Sequence, residues 1–156
     1  MTILVFDLDD TLLMSGTYNR YSDIKPDNYL NLLLFKLKCK KFIYTNGTYG
    51  HANESLKNMQ CKELFNEIYA RDTLMYMKPH SRSFNEVRNN IIYRHNNSNH
   101  DDIIFFDDLQ ENLRTARQVG WITVWIKDTY KPIDDKPFIN YHFRTIQEAL
   151  ENLKLN

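Results

Sequence analysis

The sequence predicts an α/β fold: a three-layer, doubly wound parallel sheet of about five strands with helices on both faces. Three observations carry that expectation. Short runs rich in β-branched and aromatic residues (ILVF at 3–6, KFIY at 41–44, IIFF at 103–106, WITVWI at 121–126) alternate with longer stretches of helical character. These runs are apolar nearly throughout instead of alternating with polar residues, as strands buried on both faces are. Repeated strand–helix–strand order makes neighbouring strands parallel, because each helix carries the chain back across one face of the sheet.

The elements follow in order. ILVFDL is a strand that ends on acids, and the polar flap MSGTYNRYSDIK comes after it. Pro26 is placed to open a helix through DNYLNLLLFKLK, with lysines in its last turns, where the helix dipole favours cations. The basic run at 35–41 then reads as the solvated end of that helix. KFIYTNG is a second strand closing in a turn, GHANESLKNMQ a helix and EIYARD a short third strand. PHSRSFNEVRNNIIYR is a helix with Pro79 near its start, and HNNSNHDD is a polar loop before the strand IIFFDD. QENLRTARQVG is a helix stopped by Gly120, WITVWI a fifth strand with Trp121 and Trp125 on one core face, and TIQEALENLK a terminal helix. No repeat, linker or low-complexity tract divides the chain, so residues 1–156 read as a single domain.

Composition narrows the function classes. The chain has 20 Lys plus Arg against 20 Asp plus Glu, so no global field directs it to nucleic acid or to a membrane. No apolar run approaches the length needed to span a bilayer. The N-terminus lacks the basic region of a secretory signal, and Cys39 and Cys61 have no metal-ligand spacing. Reduced thiols and a cytoplasmic location are the expectation.

In sheets of this kind, ligands bind outside the carboxyl ends of the strands. The polar residues gather there. Strand one ends at Asp7 and Asp9, strand two at Thr45, Asn46 and Gly47, and strand four at Asp107 and Asp108; Lys78 follows strand three. The acids suit a divalent cation, while a hydroxyl, turn amides and a lysine suit phosphoryl oxygens. Taken singly, each has an ordinary explanation: a solvated strand end, a turn, a solvated lysine, a helix cap. The five histidines show no ligand spacing and read as surface or capping residues. Tyr18 and Tyr21 read as exposed flap tyrosines, with base stacking as the alternative.

Together, DLDDT at 7–11, Thr45 after KFIY, Lys78 in MKPH and FFDDLQEN resemble, in order, the four motifs of the haloacid dehalogenase-like phosphohydrolases. TNGTYGHANESL and FDDLQENLRTARQVGWITVWI are most similar to its pyrimidine 5′-nucleotidase-like branch. The resemblance implies Mg²⁺ as cofactor and Asp7 as the nucleophile, with Asp9 as acid/base and also a metal contact through its backbone carbonyl. It further implies Asp108 as a direct metal ligand, Asp107 acting through water, and Thr45, Asn46 and Lys78 as the phosphate-binding set. Asn112 would support the metal shell. The intervals 10–44 and 46–77 are too short for an inserted cap domain, so the expectation is a capless member with an open cleft.

The expected function is a Mg²⁺-dependent phosphomonoesterase working through an aspartyl-phosphate, on nucleotides or phosphorylated macromolecules. Its partner is then a phosphorylated substrate, nucleic acid enters only in that role, and a homodimer is open. The alternatives are a catalytically idle binding module and a phosphotransferase of the same superfamily. A signalling receiver domain is excluded, because no Asp lies between Asp27 and Asp72 to end the middle strand. The dehalogenase branch usually lacks the second acid, so Asp9 favours phosphate chemistry.

Overall fold

β1 (Thr2–Phe6) supplies the frame for everything else. Its residues Leu4 and Phe6 face one core cluster and Ile3 and Val5 the other, so both faces of the strand are covered. The computed structural model describes residues 1–130 and 136–155. β1 lies between β2 (Lys40–Tyr44) and β4 (Asp102–Asp107) and pairs in parallel with both. β3 (Glu67–Tyr69) extends the sheet beyond β2, and β5 (Ile122–Ile126) extends it beyond β4. A sixth strand, β6 (Tyr141–Phe143), completes the parallel order β3-β2-β1-β4-β5-β6. The expected five strands therefore become six. β6 escapes a sequence reading because it is three residues long, half-exposed and centred on His142, with no apolar run.

Among the described residues, five α-helices cover the sheet: α1 (Asn28–Lys36), α2 (Tyr49–Asn58), α3 (Ser81–His95), α4 (Gln110–Gln118) and α5 (Ile146–Asn152). Side chains at their N-caps set where four of them start. Asp27 accepts the Leu30 N–H, Thr48 that of His51, His80 that of Arg82 and Thr145 that of Glu148. α1 thus begins after Asp27, two residues later than Pro26 suggests. Gly120, at φ +90°, ends α4 and is well suited to that left-handed position. Trp121 and Trp125 are both buried in the second cluster, as their spacing predicts.

The basic run at 35–41 is a solvated helix end only in its first part, where Phe35, Lys36 and, just beyond the helix, Lys38 are exposed. α1 stops at Lys36, and Lys41 lies buried at the start of β2 with its Nζ donating to the carbonyls of Leu37 and Cys39. Those carbonyls follow the helix and lack internal partners, so the lysine satisfies them. Between β1 and α1 stand only two single-turn 3₁₀ helices, Ser15–Thr17 and Tyr21–Asp23; between β2 and β3 stand α2 and a short 3₁₀ turn, Lys62–Leu64. Neither connection holds a further domain. Among the described residues no helix is long and apolar enough to cross a membrane, and both cysteines are free.

Candidate active site

The strand order reverses direction at β1 and β4, which leave the sheet in opposite senses, and the crevice between their carboxyl ends is where an open α/β sheet binds ligands. Asp7 directly follows β1, and its N–H donates to the Phe106 carbonyl, fixing it beside Asp107 at the end of β4. Carboxylate oxygens of Asp7, Asp107 and Asp108 lie within 4.8 Å of one another. Two chain ends of one sheet thus force three acids together.

Among the described residues, a single cation faces them. Lys78 Nζ donates to Asp7 Oδ1 at 3.0 Å, to Asp107 Oδ2 at 2.8 Å and to the Tyr44 carbonyl at 2.8 Å, so all three ammonium protons are used. Burial opposes the charge on Lys78, but Asp107 and Asp7 outweigh it and raise its pKa. Asn46 holds this lysine in register, its side chain accepting from the Lys78 N–H and donating to the Lys78 carbonyl, both at 2.9 Å. The Asn46 side chain thus ties Lys78 through one of its two N–H groups, leaving the other, with its backbone amide, for an anion.

Thr11 bridges the acids. Its hydroxyl, fully buried, lies 3.2 Å from Asp7 Oδ2 and 3.5 Å from Asp108 Oδ1. Asp107 is the most enclosed of the three acids. Besides Lys78 it accepts from Asn112 Nδ2 at 3.0 Å and, through Oδ1, from the Leu109 N–H at 2.8 Å, so it also caps the chain entering α4. One lysine against three carboxylates leaves an acidic excess. Burial pushes Asp7 up to about 6, against Lys78 and with the help of Asp108. Burial likewise lifts Asp107 to about 6, with Lys78 opposing and Asp7 adding. Asp108 rises to about 6 through burial and the charge of Asp107.

That excess fits a divalent cation, and so does a second feature: Asn112 Oδ1 is buried without a hydrogen-bond partner beside the crevice. The crevice itself is small, about 210 Å³, and is lined by Asp7, Asp9, Thr45, Lys78, Asp108 and Asn112 among others. It is smaller than typical ligand pockets of roughly 300–1,000 Å³ and large enough for little more than an ion and a phosphoryl-sized group. A larger hollow of about 850 Å³ lies between β3 and α3, but it contains none of the three converging acids. Chemistry, not size, identifies the site.

Asp9 stands apart from the three acids. Its carboxylate meets His51 Nε2 at 2.9 and 3.1 Å, and His51 Nδ1 meets the Tyr21 hydroxyl at 2.9 Å. His51 is therefore no surface or capping residue. Its ring is brought to the crevice by the N-terminal turn of α2, where Thr48 Oγ1 accepts its N–H. His80 does cap α3, as expected. Tyr21 is exposed, as expected, but its hydroxyl is bound to His51, and Tyr18 packs against the core. Thr45 is buried, with Oγ1 accepting from the Gly47 N–H at 3.0 Å. A Cβ at Gly47 would come within 3.1 Å of the His51 ring, 3.3 Å of Thr45 Oγ1 and 3.6 Å of Asp9 Oδ2, so these three groups share one bare stretch of backbone.

The structure thus brings every sequence-expected site residue to one crevice. Sequence reasoning misses the parts played by His51, Tyr21 and Thr11. Only Thr11 has a signal, its place at the end of DLDDT.

Solved structures with this fold include a protein assigned as the HAD-hydrolase YfnB of Bacillus subtilis, bound to magnesium. It has a TM-score of 0.69 and 16% identity, over 96% of this chain and 97% of that one. A protein assigned as a beta-phosphoglucomutase of Thermotoga maritima gives 0.72 at 12% identity, over 97% of each chain. The L-2-haloacid dehalogenase of Xanthobacter autotrophicus gives 0.65 at 12% identity, over 84% of this chain and 62% of its own. At such identities the likeness is one of fold. No curated protein matches the sequence. The model of the haloacid dehalogenase-like hydrolases matches residues 17–126, which include Thr45, Lys78, Asp107 and Asp108, and with that match over most of its length the chain belongs to this family of hydrolases.

Proposed function

We propose that this chain is a single-domain, capless, Mg²⁺-dependent phosphomonoesterase that works through an aspartyl-phosphate on Asp7. The observation that carries the reading is the division of acids in one crevice. Asp7, Asp107 and Asp108 converge on one another with one lysine bound to the first two, while Asp9 is held apart by His51. A cation would be held by Asp7, Asp108 and the Asp9 carbonyl, with Asp107 and Asn112 behind them, and when bound it neutralises the phosphoryl oxygens.

Asp7 attacks phosphorus in line, an acyl-phosphate bond forms, and the bond to the ester oxygen breaks. Asp9 gives its proton to that oxygen, so the alcohol leaves neutral. In the second half, Asp9 takes a proton from water as the water oxygen attacks the same phosphorus, releasing inorganic phosphate and restoring Asp7. Lys78 offsets charge on Asp7 and the phosphoryl group, and Thr45 with the Asn46 amide binds phosphoryl oxygens. A dehalogenase has no need of the second proton carrier, and a binding module has no need of the buried acid excess.

The crevice holds little more than a phosphoryl group and an ion, so most of a larger substrate lies outside it. The local likeness to pyrimidine 5′-nucleotidases makes mononucleotides the first substrates to try, beside sugar phosphates, phosphopeptides and end-phosphorylated DNA. The test of the reading is Asp7→Asn assayed with Mg²⁺ on such a panel. Turnover should vanish, and intact mass spectrometry of rapidly quenched wild-type enzyme should show one added phosphoryl group that the variant lacks. A residual rate above about a hundredth of wild type, beyond what a positioned acid or base accounts for, would remove Asp7 as nucleophile.

A further inference from the structure

We infer that His51 is the positioning residue of the Asp9 proton shuttle, with its ring fixed in turn by the Tyr21 hydroxyl of the flap. This rests on the reading of Asp9 just given and adds to it two residues from separate parts of the chain.

Both ring nitrogens of His51 are occupied, Nε2 by both oxygens of Asp9 and Nδ1 by Tyr21. An ionised carboxylate can only accept, so Nε2 carries the hydrogen of this contact. In the neutral ring Nδ1 is then an acceptor, and the Tyr21 hydroxyl donates to it. With the ring neutral, the hydrogen bonds run in one direction, from the flap through α2 to the acid. The ring's Cδ2 lies close to Gly47, and the backbone N–H of His51 is bound to Thr48 Oγ1, which fixes the turn that carries the ring.

A shuttle needs such support more than the other acids do. Asp7 and Asp107 are fixed by Lys78, but the side chain of Asp9 is 36% exposed, and among the described residues its carboxylate bonds to the side chain of His51 alone. Asp9 must serve two oxygens in turn, that of the leaving group and that of water, from one position. Displacing a reacting group by about 1 Å costs on the order of 100-fold in rate. The contact persists in both protonation states. When Asp9 is an acid, one oxygen still accepts from Nε2 and the other carries the proton. His51 thereby restricts where that proton sits without itself touching substrate.

The test uses the full chain with Mg²⁺ and two classes of substrate: p-nitrophenyl phosphate, whose leaving group needs little protonation, and a simple alkyl phosphate, which needs it fully. His51→Ala should lower the single-turnover rate of phosphoryl transfer to Asp7, read by rapid quench before the water step common to both substrates, by about 10- to 100-fold for the alkyl phosphate and by less for p-nitrophenyl phosphate, with KM changed little. His51→Gln, which can present an N–H toward Asp9, should recover much of the loss, and Tyr21→Phe should fall between wild type and His51→Ala. In an Asp9→Asn background, His51→Ala should add nothing further, because its effect runs through Asp9.

An equal loss in that background, a loss identical for both substrates, or an effect confined to KM would overturn the inference and make His51 a direct phosphate contact or a structural residue. A His51→Ala protein that fails to fold leaves the Gln and Tyr21→Phe variants to decide by the same criteria. Failure of the underlying reading looks different. Asp9→Asn itself would then show no greater loss on the alkyl phosphate than on p-nitrophenyl phosphate.

Discussion

Replacing Lys78 by Met should destabilise the protein severely at neutral pH and much less in mild acid. The ammonium binds two buried carboxylates at once, and it also satisfies the Tyr44 carbonyl. Met fills a similar volume between the rings of Tyr44 and Phe105, which lie 4.9 and 5.3 Å from Nζ, so packing is largely kept. What is lost is the partner of a buried charge, a loss of about 3–5 kcal/mol when one side of such a pair is removed. For a domain of this size that lowers Tm by roughly 10 °C. The pH dependence has a definite sign. Asp7 and Asp107 already hold their protons up to about 6 in the fold, against 3.8 as the reference value, and without Lys78 they hold them still higher. The native state then binds more protons than the unfolded chain, so stability falls as pH rises through that interval and returns as pH falls. Urea denaturation of metal-free protein, followed by tryptophan fluorescence at pH 7.5 and pH 5, measures both effects. A loss below about 1 kcal/mol at pH 7.5, within the range of an exposed ion pair, would refute the reasoning. So would a deficit that grows in acid.

Activity should require Mg²⁺ and disappear in EDTA, and Asp108→Ala should abolish the heat of Mg²⁺ binding in titration calorimetry; full turnover after chelation contradicts this. Mg²⁺ should raise Tm more at pH 7.5 than at pH 5, because the acids raised to about 6 must release their protons to hold it, and equal gains would show that these acids are not the ligands. Thr11→Val keeps the shape but removes the hydroxyl shared by Asp7 and Asp108, and should lower stability by about 1–3 kcal/mol in equilibrium unfolding. The small crevice predicts weak discrimination among small phosphomonoesters, with KM near the millimolar end of the usual range; micromolar KM for one small metabolite, in a monomeric preparation, would refute it.

The sheet and the acids are legible in the sequence because both are written locally. A buried parallel strand needs an unbroken apolar run, and the residue where that run stops is where a ligand is met. Asp7, Thr45 and Asp107 can therefore be placed from the order of residues alone. Lys78 is legible only as a member of an ordered set, since nothing around it marks a lysine with 1% side-chain exposure. The Tyr21–His51–Asp9 chain has no local trace. It depends on where Thr48 starts α2 and where the flap lies, and three residues in separate elements meet only through that placement. Asn46 reads as an anion ligand because it follows Thr45, yet its side chain is tied to Lys78, 32 positions away. Lys41 misleads for the converse reason: a basic run implies solvent, but unsatisfied carbonyls can draw a lysine inward.

The central place of β1 also sets a schedule for synthesis. Its partner β2 follows within 44 residues, but β4, which closes its other side, ends at Asp107. At translation rates of about 5–20 residues per second, roughly 5–20 s separate the appearance of Phe6 from that of Phe106. Throughout that interval the nascent chain carries Ile3, Leu4, Val5 and Phe6 with at least one strand edge unpaired, an invitation to pairing with another chain. Asp7 spends the same interval without Asp107, so the three-acid cluster cannot exist before the sheet is closed. Nascent chains halted before β4 should accordingly be the aggregation-prone species, and adding Mg²⁺ should not rescue them.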